Sequence, residues 1–121
     1  MRKKVTKIRS SANELYDFYK YPQKLIKYKY GFEITVGINE IGTDENIFSI
    51  LDIICRHKKN FEVEIWKFTR DRGNLFTLAG KDKFGTEFID MPDLEFDFYF
   101  DDLIVLKKGK LVCLPIEENL Y

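Results

Sequence analysis

The stretch that most restricts how this chain can fold is Leu94 to Asp102, Leu-Glu-Phe-Asp-Phe-Tyr-Phe-Asp-Asp. Successive side chains of a strand point to opposite faces, so Leu94, Phe96, Phe98 and Phe100 fall on one side and Glu95, Asp97, Tyr99 and Asp101 on the other. Any fold must cover the first set and can leave the second in water. Continuing that register into Leu103-Ile-Val-Leu106 would send Asp102 into the phenylalanine side, and an unpaired buried carboxylate is costly. The pattern therefore predicts a bulge or strand break at Asp101-Asp102.

The chain that must cover this stretch has 121 residues, of which 45% are hydrophobic and 33% charged, with 11 Phe and 7 Tyr. That length suits one domain over residues 1–121, and the apolar content is enough for a continuous core. No apolar run approaches the roughly 18 residues needed to cross a bilayer, and Met1-Arg-Lys-Lys4 is not followed by a signal-like segment, so a cytoplasmic protein is expected. Cys55 and Cys113 are too few for a disulfide framework and read as reduced thiols in strand interiors.

The zero net charge conceals a dipole along the chain. Residues 1–30 carry nine basic and two acidic side chains; residues 86–121 carry three basic and nine acidic. Such a distribution permits a basic patch, an acidic patch, or mutual neutralisation in the fold.

Local signals suggest the remaining elements. Val5 to Arg9 can form a short edge strand. Ser11-Ala-Asn-Glu14 fits a capping box, so a helix is predicted from Ala12, with Leu15, Phe18 and Tyr19 on its apolar stripe. Pro22 ends or kinks it near Lys20 and can begin a second short helix over Gln23 to Lys29, with Gly31 closing the helical region. From Phe32 the period becomes two: Phe32, Ile34, Val36 and Ile38 predict a half-buried strand, Asn39 to Asn46 a turn region, and the apolar run Ile47 to Ile54 a central strand covered on both sides. Lys58-Lys-Asn60 reads as a turn, Phe61 to Arg70 as a strand with Phe61, Val63 and Ile65 on one face, and Asp71 to Asn74 as the turn that closes it. Leu75 to Ala79 and Phe84 to Met91 are predicted strands joined through Gly80 to Lys83, with Met91-Pro-Asp93 interrupting the ladder. Leu103 to Leu106 leads through Lys107 to Lys110 into Leu111 to Leu114, Gly109 supplying the turn; Pro115 ends that strand, and Ile116 to Tyr121 reads as a loose acidic tail. The expected architecture is α+β: an N-terminal helical region, kinked or split at Pro22, packed on a strongly curved, mostly antiparallel sheet of six to eight strands, or a partial barrel.

Catalytic signatures are sparse. His57 is the one histidine, and in strand register it shares a face with Cys55, the only pairing from which a thiol and a base could be drawn; the ordinary reading is a core thiol and a solvated ring. Two cysteines and one histidine lack the close-spaced pairs of a zinc site. Asp90, Asp93, Glu95, Asp97, Asp101 and Asp102 lack EF-hand spacing, and no lysine lies between Lys83 and Lys107 to assist a Mg²⁺-dependent nuclease. The seven glycines form no phosphate-binding loop, and Glu62, Glu64, Glu95 and Asp97 offer only chance pairs for glycoside chemistry. No catalytic residue, metal or cofactor is expected.

Two charged regions remain. Lys3, Lys4, Lys7, Arg9, Lys20, Lys24, Lys27 and Lys29, interleaved with Tyr16, Tyr19, Tyr21, Tyr28 and Tyr30, could hold phosphates and stack bases. The row Glu95, Asp97, Tyr99 and Asp101, with Asp102, could capture a basic protein surface, since carboxylates two residues apart on a strand lie roughly 6.5 to 7 Å from one another. By elimination the leading expectation is a non-enzymatic binding or inhibitory protein that engages a basic partner, as an immunity protein or antitoxin neutralising a nuclease-type toxin would. A nucleic-acid-binding module, and a small enzyme or ligand carrier with a pocket in the curved sheet, are the alternatives.

Overall fold

The computed structural model describes residues 12–15, 23–57 and 62–120. The described residues form three α-helices and a mixed, mostly antiparallel sheet of seven strands that does not close, an α+β arrangement as predicted. In chain order the elements are α1 (Ala12–Leu15), β1 (Ile26–Lys27), β2 (Glu33–Ile34), α2 (Val36–Glu45), α3 (Phe48–Arg56), β3 (Val63–Arg72), β4 (Leu75–Asp82), β5 (Glu87–Glu95), β6 (Asp102–Lys108) and β7 (Leu111–Cys113). Short 3-10 turns cover Lys29–Gly31 and Pro115–Leu120. Across the sheet the order is β1-β2-β7-β6-β3-β4-β5, and β2 with β7 is the parallel pair.

One continuous core joins Ile38, Ile41, Ile47, Ile50, Leu51 and Ile54 to Trp66, Phe68, Phe76, Leu78, Leu103 and Val105, so α2 and α3 pack on one face of the sheet. Full burial of each large side chain stabilises by about 1.5–3 kcal/mol. The opposite face carries Ile65, Lys67, Thr69, Thr77, Ala79 and Lys81, half-buried or exposed.

The segment Ile47 to Ile54, expected as a central strand, is the core of α3. Its apolar residues fall on both strand parities because they follow helical spacing: Ile47, Ile50, Leu51, Ile54 and Cys55 are buried while Ser49 and Arg56 are exposed. The strand predicted over Phe32 to Ile38 shrinks to β2, because Thr35 caps α2, its hydroxyl accepting from the Ile38 amide at 3.4 Å. The turn read over Asn39 to Asn46 is the body of that helix, and Asn46 ends it in the left-handed conformation at φ 55°. Glycines sit inside α2 because there is no room for a side chain. A Cβ on Gly37 would lie 2.8 Å from Leu114 and one on Gly42 2.7 Å from the Phe48 ring.

Ala12–Leu15, within the predicted helix, is helical; Ser11, the expected kink at Pro22 and the expected strand Val5 to Arg9 lie outside the described residues, as does the turn at Lys58 to Asn60. The Asn13 carboxamide donates to the Ile104 carbonyl at 2.9 Å and accepts from the Ile104 amide at 2.6 Å. It closes the edge of β6 that β7, paired only over residues 106–108, leaves open. The second helix expected over Gln23 to Lys29 is instead β1 and a tight turn, with Tyr30 and Gly31 at φ 61° and 78°.

In the C-terminal half the predicted strands form, with shifted limits. The face of β3 that enters the core is Glu64, Trp66 and Phe68, the opposite of the parity expected from Phe61, Val63 and Ile65, because the larger rings win burial. Gly80 belongs to β4 under the Phe88 ring, and the hairpin tip is residues 83–86. The strand runs on through Met91-Pro-Asp93, but its ladder is interrupted there as expected, Pro92 and Asp93 having no paired residue on β4. On the sheet's edge Pro92 has no outer partner to lose, and a register shift between Phe76 and Leu78, with Asp93 at φ 61°, absorbs the extra residue. The β6–β7 hairpin turns at Gly109, φ 60°, as predicted. The tail read as loose is the 3-10 turn Pro115–Leu120, held by the buried Glu117 carboxylate, which accepts from the Thr35 hydroxyl (2.5 Å), the Leu114 amide (3.0 Å) and the Gly37 amide (3.1 Å).

Candidate functional site

The opening alternation survives in burial and fails in hydrogen bonding. Phe98 and Phe100 are buried and Leu94 and Phe96 half-buried, while Glu95, Asp97, Tyr99 and Asp101 are exposed. Yet β5 ends at Glu95 and β6 begins at Asp102, so residues 96–101 form an irregular crossover rather than a strand. The interruption precedes the Asp101-Asp102 bulge that was expected there and is longer.

Arg70 is the reason. Its Nη2 donates to three successive carbonyls, those of Phe98, Tyr99 (3.2 Å) and Phe100 (3.0 Å). Consecutive carbonyls of a strand point to opposite sides, so a chain that turns three of them on one nitrogen cannot be extended. Nη1 donates to the Gly73 carbonyl, Nε to Asp101 at 3.2 Å, and the Arg70 amide to the Asp101 carbonyl at 2.8 Å. The guanidinium lies over the Phe76 ring, 4.6 Å from its centroid. Glu45 of α2 adds a further tie, accepting from the Tyr99 amide at 3.2 Å.

The crossover and the edge strand β5 together carry the acidic site. Between Phe84 and Leu106 there are seven carboxylates and no basic residue. Six of them, Glu87, Asp90, Asp93, Glu95, Asp97 and Asp101, are exposed. Glu95 stands at the end of β5 and Asp97 and Tyr99 on the crossover, Tyr99 58% exposed. Asp101 is tied to Arg70, and Asp102 opens β6 opposite Thr69, half-buried, with one oxygen lacking a hydrogen-bond partner among the described residues. The sequence-predicted row is thus divided: Glu95, Asp97 and Tyr99 face solvent, whereas Asp101 and Asp102 belong to the clamp and the strand start. Sequence reasoning grouped Asp90 and Asp93 with that row only as cation ligands, not as part of a partner-binding row, and did not single out Glu87. The signal that joins them is the absence of any base between Lys83 and Lys107.

The edge is poorly suited to accepting another strand. Pro92 lacks an N–H, Asp93 has a left-handed φ, and the β4–β5 register shifts twice. A recess of about 390 Å³ on the outer face, lined in part by Lys67, Thr77, Lys81, Glu87 and Asp90, borders the same strand. It lies on the face opposite the core, whose interior is filled by Trp66, Phe68, Phe76 and Phe98.

Other titratable groups are committed to the fold. Glu64 is buried with Lys107, 3.2 Å away, accepts from Trp66 Nε1 at 2.9 Å, and the Lys107 ammonium also donates to the Ile54 carbonyl at 2.8 Å. Glu64 faces the core and Glu95, opposite Leu75, the other side of the sheet, so they cannot flank one bond. Burial pushes the Cys55 thiol up to about 11 and the Cys113 thiol up to about 12, which leaves both protonated near neutrality. The two cysteines are not both in strands: Cys55 is in the last turn of α3, and His57 follows that helix in extended backbone, so the strand register expected to pair them does not exist. His57 packs against Trp66 and Phe88.

Of the basic region, Lys24 and Lys27 are exposed, Lys29 pairs with Asp52 at 3.0 Å, and the Tyr28 hydroxyl donates to Asp52 at 2.6 Å. Desolvation, then the Asp52 carboxylate, raise the Tyr28 phenol. Among the described residues no cluster of three His, Cys, Asp or Glu could hold a metal ion, and no helix is long and apolar enough to cross a membrane. Comparison with protein-family models, curated proteins and solved structures finds no match.

Proposed function

We propose that this chain is a non-enzymatic binding protein that engages a basic protein surface with the acidic edge of its sheet, through Glu87, Asp90, Asp93, Glu95, Asp97 and the exposed Tyr99. The observation that carries the reading is the run from Phe84 to Leu106, with seven acids, no base, and six of the acids in water. Carboxylates aligned on a stiff support raise the local potential, speed encounter with cationic surfaces and reject anionic ones. Tyr99 adds an amphipathic ring of the kind that anchors interfaces. Because the edge resists strand addition, a partner reads its side chains rather than its backbone. An inhibitor of a cationic enzyme, such as an immunity protein or antitoxin against a nuclease-type toxin, has this chemistry.

The test begins with capture from a lysate of the source cell, followed by identification and purification of the captured protein. Binding to the wild type should weaken steeply as salt rises. The Asp90→Lys/Glu95→Lys/Asp97→Lys variant should lose at least about 100-fold in affinity, since each reversed charge adds repulsion. Undiminished binding by that variant contradicts the proposal.

A further inference from the structure

The tip of the β4–β5 hairpin presents Phe84 to solvent, 82% exposed, well beyond Tyr99 at 58%, Tyr30 at 51% or Ile116 at 44%. The turn beneath it is rigid. One Asp82 carboxylate oxygen accepts from the Phe84 amide at 2.9 Å and from the Thr86 amide at 3.0 Å, the Gly85 amide donates to the Asp82 carbonyl at 3.0 Å, and the Asp82 amide to the Thr86 carbonyl at 3.0 Å. Gly85, at φ +83°, supplies the conformation that this turn requires. An aromatic side chain carried on a hydrogen-bonded turn has only its own torsions to order on binding, not the backbone beneath it.

Phe84 lies three residues before Glu87, at the start of the acidic strand, and Tyr99 follows its far end. At 3.3 Å per residue, β5 separates them by roughly 26 Å, the span of an ordinary protein interface. We infer that Phe84 is the apolar anchor of the acidic edge, inserting into an aliphatic or aromatic pocket at the margin of a cationic surface on a partner protein. This rests on the function proposed above and adds to it a requirement on the partner, which must pair a basic patch with an apolar pocket beside it. Charge selects that occupant. Two copies meeting edge to edge would oppose like carboxylates, and an anionic lipid surface would repel the row.

The probes are two lysine-rich helical peptides of equal length and charge, one carrying a leucine cluster at one end and the other serines at the same positions, with binding followed by fluorescence anisotropy at low salt. The wild type should prefer the leucine peptide by roughly tenfold. Phe84→Ser should bind both as the wild type binds the serine peptide, at an unchanged melting temperature, and Phe84→Leu should keep the preference. A preference that survives in Phe84→Ser, or equal binding of both peptides by the wild type, overturns the anchor while leaving the acidic edge standing. Binding of neither peptide contradicts the acidic-edge reading itself. Concentration-dependent dimerisation that Phe84→Ser abolishes assigns the ring to a second copy and also overturns the inference.

Discussion

Two sets of carboxylates in this small protein are built on opposite terms. Glu64 and Glu117 are fully buried; both oxygens of Glu117 meet donors on neighbouring elements, and Glu64 meets Trp66 on its own strand and Lys107 on β6. The acids of β5 and the crossover stand in water, and only Asp101 has a basic partner among the described residues. The first set is what a fold requires, because a buried charge without partners is prohibitive. The second is costly to the fold, since like charges crowd one edge. A chain that surrounds Glu64 and Glu117 with donors and leaves its edge acids in water separates folding from binding.

The largest effect should come from breaking the buried pair. Lys107→Ala leaves Glu64 without its cation and should cost about 3–5 kcal/mol in urea unfolding. Replacing both partners, as Glu64→Gln/Lys107→Met, should cost much less. Equal losses in the two variants would show that the pair does not act as a unit.

Next comes the clamp. Arg70→Met removes a guanidinium whose side chain is 13% exposed and whose hydrogen bonds hold the crossover, and should cost about 2–3 kcal/mol. Asp101→Asn, which removes only the half-exposed ion pair, should cost less than about 1 kcal/mol. Hydrogen exchange at residues 96–101 should accelerate in the first variant and hardly in the second.

A smaller effect should appear in acid. Desolvation opposes ionisation of Asp52, but hydrogen bonds from Tyr28 and Lys29 outweigh it and hold its carboxyl below the usual range. A depressed folded pKa gives stability that is present above the unfolded value and lost as pH falls through the folded one. Asp52→Asn should therefore flatten the acid limb of the stability curve and leave the neutral region less stable than wild type. An unchanged acid limb would remove Asp52 from the account.

The parts legible in the sequence were those governed by local chemistry. Alternation placed Phe98 and Phe100 inside and Asp97 and Tyr99 outside, and turn residues located the hairpins at Asp71 to Asn74 and Lys107 to Lys110. What escaped depended on distant partners. Nothing near Leu94 to Asp102 announces that Arg70, some thirty residues upstream, will gather its carbonyls and prevent a strand. Nothing near Ile116 announces that Glu117 will be buried at the start of α2. The helices α2 and α3 were missed for a different reason: a short apolar run satisfies both periods, and the helical glycines Gly37 and Gly42, required by packing, resemble turn residues.

The smallest expected effect on folding belongs to the residues with the largest expected effect on binding, and measuring both on one variant tests the central claim most directly. For Asp90→Lys/Glu95→Lys/Asp97→Lys, unfolding free energy should stay within about 0.5 kcal/mol per substitution of wild type or rise as repulsion is relieved. Salt-dependent binding of the cationic partner should be lost from the same sample. Substantial unfolding of that variant, or binding that persists with the wild-type salt dependence, would contradict a separation of folding charges from binding charges.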